Sequence, residues 1–372
     1  MASIPFQWKR RPSTKRLAVS PPPNLASLPI QEALGPLTQA LASQTAAVLV
    51  APPGAGKTTV TPLVLMDEPW AAGGKLIVLE PRRMADMLGE TVGGTVGYRV
   101  RLESRVSSRT RVEVVTEGVF TRMILDDPAL EGVTGVLFDE FHERSMDADL
   151  GLAFARDSQL VLRDDLRLLV MSATLDGAGI AALLGGAPVI ESRGRAFPVE
   201  TRYLGRDPIL RLEDQVAKAI RLALAAGPGD VLVFLPGQGE ILRTAERLAT
   251  LGADVDVRPL YGAIDPAEQD LAIAPAAPGR RKVVLATAIA QTSLTLEGVR
   301  MVIDSGVSRT ARWDPANGIA RLVTTRVSRA TADQRRGRAG RTAPGTCWRL
   351  WHEAETRSLP AFDRPEILET DL

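Results

Sequence analysis

Two tandem α/β lobes, each a mainly parallel sheet with flanking helices, are the fold class this sequence predicts. Three observations carry it. Brief apolar runs alternate with stretches of helical periodicity through the first half. The series pauses at residues 195–198 and then starts again. The loop A-P-P-G-A-G-K-T at 51–58 falls between an apolar run and a helical stretch. Strands that read as continuous apolar runs are buried on both faces, which suits parallel sheets covered by helices.

Residues 1–24 carry Lys9, Arg10, Arg11, Lys15 and Arg16 without an acidic residue, and Pro21, Pro22 and Pro23 follow where a secretion signal would need an apolar core. They read as a disordered basic tail. Ordered structure is expected from 25 onward. The first lobe, 25–198, holds a strand at 46–51, a helix at 58–66 and strands at 75–79, 111–115, 135–138 and 166–171. The second lobe, 199–372, holds a helix at 214–226, a strand at 230–235, a helix at 239–250 and strands at 282–286 and 301–304. No short-period repeat interrupts either.

At 372 residues, 45% hydrophobic and 24% charged, the composition is that of a soluble globular protein with room for about two to three domains. A net charge of +1 excludes a polycation, so any surface for nucleic acid must be local. One such region exists: nine arginines against Asp314 and Asp333 between Ser305 and Arg341. The single cysteine, Cys347, excludes an internal disulfide and fits a reducing cytoplasm. No apolar run approaches the roughly 20 residues of a membrane span. Aromatic residues, at 4%, are too few for a base-stacking platform as the main function.

The loop at 51–58 has the context of a phosphate cradle. Gly54, Ala55 and Gly56 let backbone N–H groups approach phosphates, and the helix N-terminus adds a favourable dipole. Lys57 would neutralise the β- and γ-phosphates of ATP or another NTP, the Thr58 hydroxyl would ligate Mg²⁺, and Thr59 closes the motif. Ala51 stands at the usual first glycine, one methyl off the strict pattern. Asp139 and Glu140 end the apolar run 136–138, at the strand edge where α/β sheets bind ligands. Two adjacent carboxylates are usually only solvated. Placed after a buried strand and downstream of a phosphate loop, Asp139 suits Mg²⁺ and Glu140 the attacking water. His142 either links this site to the other lobe or caps local structure.

With S-A-T at 172–174 and Q-R-R-G-R-A-G-R at 334–341, the chain resembles the DEAH-box helicases of superfamily 2. The strings D-E-F-H-E-R and A-T-A-I-A-Q-T-S-L-T (286–295) are similar to the bacterial HrpB type. The resemblance runs from about residue 28 to the end and implies two RecA-like P-loop lobes, ATP and Mg²⁺, and a monomer working on single-stranded RNA or DNA in the cytoplasm. It implies that Arg82 and Arg83 in L-E-P-R-R, and Thr116 and Gly118 in T-E-G, contact the backbone of a single strand. Ser172 and Thr174 would couple hydrolysis to movement, and L-P-G (235–237) with Thr292 and Ser293 would grip the strand and sense nucleotide. Gln334 would position water, Arg338 and Arg341 would serve as arginine fingers, and 309–327 would hold a strand-separating hairpin. Sequence-tolerant contacts of this sort position a backbone and carry no base information.

Three features depart from that pattern. The helix after Arg83 spans only 84–89, Gln291 stands where the family usually has Glu, and the sequence stops at Leu372, just after the second lobe. On those grounds a weakly RNA-stimulated ATPase with little processive unwinding is expected. Two other readings are a degraded core that binds nucleic acid with little hydrolysis, and a P-loop ATPase of another superfamily. The first is opposed by the intact Lys57, Asp139, Glu140, Gln334, Arg338 and Arg341, the second by the order of all the motifs.

Overall fold

The computed structural model describes residues 28–369 except 53, 80–90, 174–176, 193, 195–196, 292–295 and 315–318. The basic tail, Arg82, Arg83, Thr174, Thr292, Ser293 and the segment 84–89 lie outside the described residues.

The first sheet has eight strands: β1 (Ala46–Val50), β2 (Lys75–Leu79), β3 (Val96–Val100), β4 (Glu103–Arg105), β5 (Val112–Val115), β6 (Val133–Phe138), β7 (Arg167–Ser172) and β8 (Val189–Glu191). Their order is β4-β3-β5-β2-β6-β7-β1-β8, parallel throughout except for β3 with β4. Helices α1 (Gln31–Ser43), α2 (Lys57–Leu65), α3 (Glu117–Asp126), α4 (Met146–Val161) and α5 (Gly177–Leu183) belong to the same segment. Its apolar strands obey the two-residue period of extended chain. Ala47 and Leu49 of β1 join one core cluster with Leu169 and Met171 of β7. Ala46, Val48 and Val50 join another, on the opposite face, with Leu168 and Val170. Both faces are buried, which is why the sequence reads as unbroken apolar runs.

The second sheet repeats the plan with β9 (Val199–Tyr203), β10 (Asp230–Phe234), β11 (Val255–Leu260), β12 (Arg281–Ala286), β13 (Val299–Asp304) and β16 (Gly345–Arg349). All its pairings are parallel, in the order β11-β12-β10-β13-β16-β9. Val231 and Val233 face one core, Leu232 and Phe234 the other. Helices α6 (Leu212–Ala226), α7 (Gln238–Arg247), α8 (Pro266–Ile273) and α9 (Arg329–Gly337) accompany it. Among the described residues strands β14 (Val307–Asp314) and β15 (Ile319–Arg326) pair only with each other, antiparallel, where the resemblance implied a hairpin.

The predicted α/β class and its parallel sheets are what the chain forms. One boundary differs by a turn: the helix expected over 239–250 ends at Arg247, where the N–H groups of Leu248 and Ala249 bond the carbonyls three residues back. That tighter winding terminates the α-helix. Among the described residues no helix is long and apolar enough to cross a membrane.

Candidate active site

Three neighbouring strands of the first sheet, β1, β7 and β6, end side by side, and each delivers a motif from its C-terminal edge. β1 runs into the loop at 51–56, β7 ends in the fully buried Ser172, and β6 runs into Asp139 and Glu140. In the loop Gly54 and Gly56 have φ of +82° and +95°, a region in which a side chain is strained. A Cβ on Gly56 would also lie 2.9 Å from the Leu28 side chain. The loop turns there so that α2 begins at Lys57 with its N–H groups open to the edge of the sheet. Ala55 is buried, Thr58 and Thr59 half-buried, and the Thr59 hydroxyl bonds the Gly56 carbonyl at 3.4 Å. Ala51 is fully buried, so the alanine that replaces the usual glycine is packed into core.

Lys57 is buried and places its Nζ 2.8 Å from Glu140 Oε1 and 4.0 Å from Asp139 Oδ1. Glu140 reaches it through an unusual backbone, with φ +47° in a non-glycine residue. Two bonds hold that turn: the Glu140 N–H donates to Asp139 Oδ1 at 2.7 Å, and the Glu143 N–H to the Glu140 carbonyl at 2.9 Å. Burial pushes the Asp139 carboxyl up to about 6 against the pull of Lys57. Burial acts on Glu140 too, but Lys57 and then His142 outweigh it and hold its pKa low.

His142 connects this cluster to the second sheet. Its Nδ1 lies 3.4 Å from Glu140 Oε2 and 3.3 Å from the N–H of Ala173, and its Nε2 lies 2.7 Å from Gln334 Nε2. His142 thus makes both a contact with the second sheet and a bond to a local main-chain N–H. Burial pushes its imidazole down to about 4, partly opposed by Glu140.

These shifts make opposite contributions to stability. Neutral His142 stabilises the fold at pH 7, and that contribution is lost as pH falls from 6.5 towards 4, because only the unfolded chain takes up the proton. Asp139, raised above its ordinary 3.8, takes up its proton first in the folded chain and adds stability as pH falls from 6. The Asp139→Asn variant should accordingly lose more stability than wild type as pH falls from 7 to 4, measured by urea unfolding. Parallel pH curves for the two proteins would refute these protonation states.

From the second sheet, α9 presents Thr331, Gln334 and Arg335 on one face, and Arg338, in the turn that follows the helix, continues the spacing. Arg335 is fully buried. Its Nη1 donates to Asp304 Oδ1 at 2.8 Å and its guanidinium lies 4.9 Å from the centre of the Phe234 ring. Its Nε donates to Gln291 Oε1 at 3.2 Å, and Gln291 Nε2 donates to Gln334 Oε1 at 2.9 Å. Arg338 is buried, and its Nε donates to the main-chain carbonyl of Gln291 at 2.9 Å. Burial and then the neighbouring Arg341 push it down to about 9, so it stays charged at neutral pH. Arg341 is also lowered by burial, against the attraction of Glu140, and its Nε is buried with no hydrogen-bond partner among the described residues.

The structure thus brings Lys57, Asp139, Glu140, His142, Gln334, Arg338 and Arg341 to one place, with Ser172 beneath. Thr116 and Gly118 lie apart from it, exposed at the start of α3. Sequence reading passed over Arg335 and the Thr331 hydroxyl, which donates to Asp363 Oδ2. The helical spacing 331, 334, 335, 338 is the signal that marks them. A second junction, also unforeseen, lies at α4: the Met146 N–H donates to Glu366 Oε2 at 3.0 Å, and the Glu366 N–H to the Arg144 carbonyl at 3.1 Å. A carboxylate there suits the positive end of the helix dipole.

Two mainly parallel sheets, a phosphate-binding loop facing a D-E-F-H turn on the first, and an arginine-bearing helix meeting them from the second make up the site. Residues 214–343 match the family described as Helicase conserved C-terminal domain. Over 358 residues the chain is 50% identical to the ATP-dependent RNA helicase HrpB of Escherichia coli K12, covering 94% of this chain and 44% of that protein. It is 36% identical over 381 residues to the pre-mRNA-splicing factor ATP-dependent RNA helicase prp22 of Schizosaccharomyces pombe, covering 96% of this chain and 32% of that one. The crystal structure of Escherichia coli DEAH/RHA helicase HrpB matches with a TM-score of 0.85 at 50% identity, over 93% of this chain and 45% of that one. Over most of its length the chain is similar to DEAH-type helicases of the bacterial HrpB kind; it spans less than half the length of these relatives.

Proposed function

We propose that the chain is an NTP-dependent helicase core, acting on RNA, in which hydrolysis of ATP is completed by residues of both sheets. The proposed lobes are 25–198 and 199–372, acting as a monomer on a single strand in a reducing cytoplasm. The observation that carries the reading is the 2.7 Å contact of His142 with Gln334, beside the Lys57–Glu140 pair. One residue of that contact follows the phosphate-loop sheet, and the other sits on α9, just before the turn that bears Arg338 and Arg341.

In this reading the N–H groups at the start of α2 and the Lys57 ammonium bind the phosphates. Glu140 orients and deprotonates the attacking water, and Gln334 helps to place it. Arg338 and Arg341 offset charge that develops on the transferred phosphoryl group, so turnover depends on the approach of α9. Asp139 Oδ2 is buried without a hydrogen-bond partner among the described residues, and the Thr58 hydroxyl bonds the same carboxyl group. Hard oxygen donors of this kind fit Mg²⁺, which is held by few protein ligands and keeps water and phosphate as the rest. When bound, Mg²⁺ would neutralise phosphate charge. Ser172, at the end of β7 between the two motifs, and Thr174 would pass the change on. Arg82, Arg83, Thr116, Gly118, Thr292 and Ser293 would hold the strand by its backbone.

Steady-state ATP hydrolysis with and without single-stranded RNA tests the reading. Hydrolysis that rises with RNA is expected; RNA binding with no hydrolysis under either condition would favour a degraded core instead.

A further inference from the structure

The chain of side chains from Arg335 to Glu140 has a direction, and Gln291 sets it. Arginine has donors and no acceptor, so the atom of Gln291 that faces Arg335 Nε at 3.2 Å must be the carbonyl oxygen. Arg335 cannot turn away, because Asp304 and the Phe234 ring hold it in the core. With its oxygen committed, Gln291 offers its amide nitrogen to Gln334, 2.9 Å away. Gln334 must answer with Oε1, which leaves its own amide nitrogen facing His142 Nε2 at 2.7 Å. That ring nitrogen must then be the unprotonated acceptor.

A neutral imidazole carries one N–H. If Nε2 is the acceptor, the proton is on Nδ1, which faces Glu140 Oε2 at 3.4 Å. Among the described residues Oε2 is a buried carboxylate oxygen with no hydrogen-bond partner, and so lacks a donor that a proton on Nδ1 would supply. The competing demand is the Ala173 N–H, 3.3 Å from the same Nδ1, which asks for the opposite tautomer. Both donors cannot be met. Satisfying Ala173 would set Nε2–H against the Gln334 amide at 2.7 Å, and turning Gln334 over would set its NH₂ against that of Gln291. The shorter contact, backed by the fixed guanidinium, prevails.

We propose that Gln291 is a positioning residue that selects the Nδ1–H tautomer of His142, so that the imidazole donates to the second oxygen of Glu140. For the hydrolytic meaning of Glu140 the proposal rests on the function given above. Lys57 holds Oε1 and His142 steadies Oε2, so the carboxylate keeps one fixed donor when the ammonium turns to phosphate. A glutamate at 291 would reverse the direction. Its carboxylate would accept from both Arg335 and the Gln334 amide, Gln334 would turn its oxygen to His142, and the ring would carry Nε2–H with Nδ1 open to Ala173.

The experiment reads the tautomer itself and needs no turnover. The chain has two histidines, His142 and His352, so a His352→Asn variant assigns the signals of the full chain at once. In long-range ¹H–¹⁵N spectra of the ¹⁵N-labelled protein at neutral pH, wild type should show His142 Nδ1 as the protonated, pyrrole-like nitrogen and Nε2 as the unprotonated one. In Gln291→Glu the two should exchange. Wild type with Nε2 protonated overturns the proposal, as does the same tautomer in both proteins. Should Gln291→Glu fail to fold, the wild-type spectrum decides alone. Absence of ATP hydrolysis would sink the proposed function and leave this result standing.

Discussion

Glu140→Gln should bind Mg–ATP about as tightly as wild type and lose turnover by roughly 10²–10⁴, the usual contribution of a positioned general base. Lys57→Ala should instead lose nucleotide binding. The two side chains are in contact at 2.8 Å, yet they fail differently because of the charge each leaves behind. Removing the ammonium leaves Asp139 and Glu140 buried together without their counter-charge, facing a triphosphate of the same sign. Removing one carboxylate charge leaves Lys57 with Asp139 at 4.0 Å and lowers the repulsion that the phosphates meet. Equilibrium titration with a fluorescent ATP analogue, alongside steady-state hydrolysis, separates the two. Equal loss of binding in both variants would remove Glu140 from the water-activating role.

Arg341→Ala should cut turnover by about 10³ or more, the lower end of what an arginine finger supplies, with little change in nucleotide affinity. It should leave the melting temperature near that of wild type, because its buried Nε has no hydrogen-bond partner among the described residues to lose. Arg338→Ala should behave otherwise. Its guanidinium donates to the Gln291 carbonyl and is buried, so truncation strands a carbonyl, opens a cavity and lowers stability along with turnover. Turnover at the wild-type level in Arg341→Ala would assign that residue to nucleic acid or to surface.

Much of this was legible in the sequence because it rests on local chemistry. Glycines 54 and 56 stand where positive φ is required, and apolar runs buried on both faces announce parallel strands. The missed elements lack those signals. Strand β11 reads V-D-V-R-P-L, an edge strand with charges and a proline, which resembles a loop. Helix α1 contains Pro36 and has no side-chain cap. At the site, the sequence showed that Gln291 removes a charge, but not that Arg335 stands behind it. Both the Arg335–Gln291–Gln334 chain and the contact of Gln334 with His142 are between residues far apart in sequence, and only the packing of α9 brings them together. Nor does any local rule predict the left-handed backbone of Glu140, which is held by Asp139 and turns the carboxylate to Lys57.

A double-mutant cycle on RNA-stimulated ATP turnover, with His142→Ala, Gln334→Ala and the pair, tests most directly whether the two sheets work as one site. Residues that share one bond lose it once, so the double variant should be little worse than the more damaged single variant. Losses that multiply would mean that His142 and Gln334 act independently, and would contradict a hydrolytic site completed across the 2.7 Å contact.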